Sequence, residues 1–166
     1  MADSLRGASM PEKRYWLFKS EPNAYSFDDL MNEPDGWAEW DGVRNYQARN
    51  SMRDDMKVGD GILFYHSNAK PLSVVGVASV VREGYDDFHG LDPDDQHYDP
   101  KATHAKPIWS MVDIKAERPL PNLVTLGDIK ANPKLKDMLL IRKGMRLSIQ
   151  PVTKEEFDEV ISMGGA

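Results

Sequence analysis

Apolar positions along this chain follow two periods, and the switches between them mark the elements. The stretches "YWLFKS" (15–20), "ILFYHSN" (62–68), "LSVVGVASVVREG" (72–84), "PIWSMVDIKAERP" (107–119) and "MRLSIQPV" (145–152) are rich in β-branched and aromatic residues and predict strands. Gly76 inside the third predicts a bulge or bend. A short link between the second and third predicts an antiparallel hairpin. Helical signals are separate from these. Ser26 with Asp29, Thr125 with Asp128 and Thr153 with Glu156 stand at capping-box spacing and predict helices over 26–33, 125–132 and 153–164. In the last of these, Phe157, Val160 and Ile161 share one face. Ala48, Met52 and Met56 lie four apart and form a thin apolar seam on an otherwise polar helix. Residues 133–140 read as a further helical turn or two, and 34–42, with its Pro and Gly, as a loop. Five strands with helices between and after them predict an α+β domain, with a small, partly closed barrel as the topology.

The 166 residues fit one domain. Residues 1–13 lack an apolar signal core and read as a disordered tail. No apolar run approaches the roughly 20 residues of a membrane helix, so no membrane partner is expected. With no cysteine there are no disulfides, thiolate chemistry or Cys-based zinc sites, and a reducing compartment is expected. The net charge of −6 argues against bulk attraction to phosphate, but it averages over a pattern. "GVRNYQARNSMR" (42–53) holds Arg44, Arg49 and Arg53 and no acid. Residues 129–146 hold six Lys and Arg against Asp137. Residues 83–99 hold seven acids and no Lys or Arg. Each run alone reads as solvated surface; two basic runs that converge in space would not.

The motifs of P-loop nucleotide hydrolysis, Rossmann dehydrogenation, α/β-hydrolase chemistry and zincin proteolysis are absent from the sequence. His89, His97 and His104 lie in or beside the acidic run. Their spacing matches no known metal loop, so a solvated, mobile loop and no metal are expected. His66, in "FYHSN", fits three roles: a general base, a hydrogen-bonding pocket residue, or a histidine satisfied at a strand end. Of Trp16, Trp37, Trp40 and Trp109, the last is the stacking candidate because the polar Ser110 follows it in a strand; core packing is the alternative for each.

Eight segments, taken in order, resemble one family: "YWLFKSEP", "GVRNYQARNSMR", "MKVGDGILFYHSN", "VVGVASV", "WSMVDI", "LGDIKANP", "MRLSIQPVT" and "EEFDEVISMGG". The chain is similar to the EVE-domain family over about 14–164; the acidic segment 83–106 aligns least well. The resemblance implies a PUA-like fold, a mixed or antiparallel β-barrel of about five to seven strands wrapped by helices. It also implies a non-enzymatic reader that takes a modified base, modified cytosine in particular, in DNA or RNA, into an aromatic and polar pocket. The expected partner is nucleic acid with modified bases, with no cofactor and a monomer favoured. The location would be cytoplasmic in a bacterium and nuclear in a eukaryote.

One cleft is then expected from Lys19, Ser20 and Glu21, from Arg44, Asn45, Tyr46, Gln47, Arg49 and Asn50, from Tyr65, His66, Ser67 and Asn68, and from Trp109, Arg146, Ser148 and Gln150. Trp109 would stack on the base, with Tyr46 and Tyr65 in reserve. Asn45, Ser67 and Gln150 would read its edge, and Arg44, Arg49 and Arg146 would hold phosphates, with Lys19 assisting. Some of these arginines could instead pair internally with Glu21 or Asp60. Two other functions compete: an enzyme acting on modified nucleotides or nucleic acid, with His66 as base beside Glu21, and an adaptor that docks a protein through the acidic run.

Overall fold

The computed structural model describes residues 13–166; the expected tail, apart from Lys13, lies outside the described residues. Six strands form one mixed sheet: β1 (Tyr15–Ser20), β2 (Ala38–Trp40), β3 (Gly61–His66), β4 (Ser73–Asp86), β5 (Ser110–Thr125) and β6 (Ile149–Val152). Their order is β2-β5-β4-β3-β1-β6. The expected hairpin is present, with β3 antiparallel to β4 and a register shift between Phe64 and Tyr65. Strand β1 runs parallel to β3, and its other edge pairs antiparallel with β6. The outer strands β2 and β6 do not pair with each other, so the sheet stays open where a partly closed barrel was expected.

The strands are continuously apolar because both faces of the sheet are covered. On β1, Trp16 and Phe18 point to one core while Leu17 points to the other; on β3, Ile62 and Phe64 oppose Leu63 and Tyr65. The first core is closed by α1 (Phe27–Met31) and α2 (Tyr46–Asn50), through Phe27, Leu30, Ala48, Met52 and Met56. The predicted three-residue seam is therefore buried in full. It runs from α2 into a π-helical turn at Ser51–Asp55, which rests directly on β4. A Cβ at Gly84 would press into the Met52 carbonyl, so only glycine admits this approach. The second core is closed by α3 (Leu126–Ala131), α4 (Lys154–Met163) and two 3-10 turns within 133–141, through Ile129, Leu135, Met138, Phe157 and Val160. Each fully buried large side chain contributes roughly 1.5–3 kcal/mol.

All three predicted capping boxes close reciprocally, at Ser26/Asp29, Thr125/Asp128 and Thr153/Glu156. Three differences from the sequence reading matter. Residues 38–40, read as loop, form β2 because β5 offers an unpaired edge. Residues 145–148, read as strand, lie outside β6. The acidic run is a folded segment rather than a mobile loop. A 3-10 turn spans Phe88–Leu91, backbone bonds tie Asp95 to Asp92 and Asp99 to Gly90, and Asp87 and Gly90 are buried. No helix among the described residues is long and apolar enough to cross a membrane.

Candidate nucleic-acid interface

A cleft of about 860 Å³ opens beside β2, at the end of β1. Strand β1 delivers Lys19 and Ser20 to it, and Glu21 follows. Ser67 comes from the end of the β3 hairpin, and Ser148 from the approach to β6. The long connection from α1 to α2 supplies the rest of the wall, including Glu33, Asp35, Trp37, Glu39, Trp40, Asp41 and Arg44. Gln96 and His97 of the acidic segment close one side.

Trp40 forms the aromatic base of this wall. Its ring packs on Phe18 at 5.5 Å and meets Phe64 and Tyr25 edge-on at 5.6 and 5.9 Å. Three aromatic neighbours fix it, as such edge-to-face contacts do. Trp37, three residues earlier, is 40% exposed and has a free surface for a planar ligand. The Tyr25 hydroxyl is hydrogen-bonded to Glu33. Burial, and then that carboxylate, push the Tyr25 pKa well above the ordinary tyrosine range. Burial lowers the pKa of Lys19, the ammonium in the same wall.

Five carboxylates line the cleft, Glu21, Glu33, Asp35, Glu39 and Asp41, against the cations of Lys19 and Arg44. Arg44 is itself engaged. Its Nη1 donates to Asp87 Oδ2 at 3.0 Å and to the Val43 carbonyl at 3.1 Å, and its Nη2 donates to the His97 carbonyl at 2.6 Å. The cleft is therefore acidic. It disfavours phosphate and favours groups that donate hydrogen bonds.

Of the residues expected to converge, Lys19, Ser20, Glu21, Arg44, Ser67 and Ser148 do so. The others line different surfaces or the interior. Trp109 is 5% exposed and covered by its own neighbours, which corrects its expected role as a base wall. Tyr46 stacks on it with centroids 4.9 Å apart, Arg44 lies over it at 5.3 Å, and its indole N–H donates to Asp99 at 2.7 Å. Gln150 is buried at 1% exposure and donates to the Leu147 carbonyl at 2.9 Å, so no base edge reaches it. Asn45 caps α2 by accepting from the Ala48 amide. Tyr65 is core; burial raises its pKa.

His66 is the strand-end case. Its Nε2 accepts the Phe27 amide at 3.1 Å, and burial lowers its pKa. Asn68 reaches Glu21 at 2.8 Å. Gln47, Asn50 and Arg146 are exposed outside the cleft. Arg49 lies over Tyr46 at 4.9 Å and donates to the carbonyl of Ile108, a β-branched residue held at φ +67. Among the described residues, the expected arginines form one ion pair with a buried acid, Arg44 with Asp87, and none with Glu21 or Asp60. Asp60 instead accepts from Trp16 Nε1 and the Lys57 amide, both at 3.0 Å.

Tyr25, Glu33 and Glu39 were missed by the sequence reading, and Trp37 and Trp40 were weighed there but passed over for Trp109. One signal could have found the tryptophans: two of them, three apart, in a Gly- and Pro-flanked segment instead of an apolar strand.

The EVE domain family profile matches residues 14–163. Thymocyte nuclear protein 1 of Gallus gallus is 41% identical over 166 residues, covering 90% of this chain and 68% of that protein. A protein from Leishmania major superposes with a TM-score of 0.86 at 45% identity, covering 93% of this chain and 96% of that one. Human THYN1 protein, in complex with 5-methylcytosine-containing DNA, superposes with a TM-score of 0.85 at 38% identity, covering 93% and 99%.

Proposed function

The chain belongs to the EVE domain family, and from that premise we propose that it is a non-enzymatic DNA reader that takes a modified cytosine into the cleft beside Trp37. The observation that carries this reading is the pairing of an exposed indole with a row of carboxylates and one partly buried ammonium in a single wall. Cytosine presents an N4 amine that donates and N3 and O2 atoms that accept. Carboxylates accept from the amine, and Lys19 donates to an acceptor atom. Thymine presents O4 where cytosine has its amine, and a carboxylate repels it. Trp37 supplies the stacking surface, worth about 1–3 kcal/mol per base. A methyl at C5 meets the apolar part of the wall. Burying it contributes about 0.8 kcal/mol, or about fourfold in affinity.

Bringing a polyanion to an acidic cleft calls for cations at its rim. Arg142, Lys143 and Arg146 are exposed on the segment that leads into Ser148, and we assign them to the flanking phosphates. The absence of turnover is inferred from His66, whose basic lone pair is held by a backbone amide. The reading is also supported by the relative of known structure bound to 5-methylcytosine-containing DNA.

Fluorescence anisotropy with labelled DNA oligonucleotides bearing 5-methylcytosine, cytosine or thymine at one position tests the proposal. The expected order of affinity is 5-methylcytosine, then cytosine, then thymine. Equal affinity for all three removes base reading, and product formation from any of them removes the non-enzymatic assignment. A matched RNA series decides which backbone is preferred.

A further inference from the structure

At the acidic end of the cleft, two imidazoles and three carboxylates meet. His97 Nδ1 stands 3.3 Å from Asp41 Oδ2 and 3.6 Å from Asp95 Oδ1. One donor atom from each of these residues lies within 4.8 Å of the others. His97 Nδ1 is closed off from solvent and has no hydrogen-bond partner. A nitrogen aimed at two carboxylates calls for a cation between them, either the nitrogen's own proton or a metal ion, and the separations fit the metal. Two ligands held about 2.0–2.2 Å from one metal at a tetrahedral angle are about 3.3–3.6 Å apart. Both separations fall in that interval.

The surroundings hold these groups in place. Gly42 adopts φ +78, and a Cβ built there would stand 2.5 Å from His97 Nε2. The imidazole thus lies on bare backbone, next to the residue whose carboxylate it faces. Asp95 is oriented from both sides. Its Oδ1 accepts the His97 amide at 2.7 Å, and its Oδ2 meets His89 Nδ1 at 3.1 Å. His89 Nε2 in turn reaches Glu39 at 2.9 Å. A carboxylate steadied by a hydrogen-bonded imidazole and a further carboxylate is the outer shell that metal ligands ordinarily have.

We propose that Asp41, Asp95 and His97 bind one divalent transition-metal ion of the Zn²⁺ class, with His89 and Glu39 as the positioning chain behind Asp95. An imidazole with two carboxylates suits such an ion better than Ca²⁺ or Mg²⁺, which take oxygen ligands. Because Asp41 and His97 also line the cleft, the ion adds positive charge to a wall crowded with carboxylates. The site stands on its own geometry and does not depend on base reading.

The 166-residue chain, stripped with EDTA and dialysed, is titrated with Zn²⁺ by isothermal titration calorimetry and with Co²⁺ by visible absorption. Saturable binding of one equivalent is expected, with Co²⁺ bands of a low-coordinate site that Zn²⁺ bleaches. His97→Ala and Asp41→Asn are expected to lose that isotherm, each checked for folding by circular dichroism. His89→Ala weakens binding about tenfold, the lower end for an outer-shell residue. His104→Ala, exposed and outside the cluster, leaves it unchanged. No saturable isotherm, or identical isotherms for His97→Ala and His104→Ala, overturns the proposal, as does equal affinity for Ca²⁺. Loss of oligonucleotide discrimination with an intact Zn²⁺ isotherm would defeat base reading alone, and the reverse result the metal site alone.

Discussion

Asp87→Ala tests how the cleft wall is held. The carboxylate is fully buried. Its Oδ2 accepts the Gly42 amide at 2.9 Å and Arg44 Nη1 at 3.0 Å, and its Oδ1 accepts the His89 amide at 3.1 Å. Hydrogen bonds to a charged group contribute about 1.5–3 kcal/mol each. Two effects reduce the sum. Removing the side chain also removes the desolvation penalty of a buried anion. Arg44 is 24% exposed and keeps its bonds to the Val43 and His97 carbonyls, so its charge still reaches water and partners. A net loss of about 3 kcal/mol is expected, near the low end for breaking a buried ion pair. At about 2–4 °C per kcal/mol for a domain of this size, the melting temperature falls by about 6–12 °C. Thermal unfolding followed by circular dichroism measures it, with the exposed Asp137→Ala as a control near zero. A drop below about 2 °C for Asp87→Ala refutes the claim that this carboxylate organises the wall.

Trp37→Ala is expected to weaken binding to the 5-methylcytosine oligonucleotide by about 1–3 kcal/mol while changing the melting temperature little, since the ring is 40% exposed; unchanged anisotropy titrations would sink its stacking role. His66 carries a depressed pKa because burial and its acceptor role disfavour the imidazolium. Its contribution to stability is full above the unfolded value of 6.5 and is lost as pH falls through the lower folded value. The stability of His66→Ala should therefore vary less with pH over about pH 7.5 to 5, and an unchanged slope in urea unfolding would contradict this. Gly42→Ala and Gly36→Ala both place a side chain at positive φ, +78 and +81, but only the first meets a neighbour, the His97 ring. Backbone strain alone is about 1–2 kcal/mol, so Gly36→Ala should lose that much and Gly42→Ala about 1–3 kcal/mol more from overpacking. Equal losses in chemical denaturation would show that His97 does not rest on Gly42.

The sequence by itself determined whatever depends on neighbours a few residues apart. The three capping boxes, the Ala48–Met52–Met56 seam and the presence of the five apolar strands were legible because their hydrogen bonds and periodicities are local. The family was legible as well, from motif order. Two further decisions needed the tertiary structure. Residues 38–40 became a strand only because β5, more than 70 positions away, left an edge to pair with. The segment "GVRNYQARN", which reads as one binding surface, divides at its second and third residues. Val43 is buried and Arg44 is drawn to Asp87, while Tyr46 and Arg49 turn to Trp109 and the Ile108 carbonyl. A side chain's chemistry is written in the chain, but whether it faces a ligand or a neighbour depends on which distant groups reach it first. Trp109 and Gln150 were claimed by the interior in this way, and Trp37, set in an unremarkable loop, was left facing the cleft.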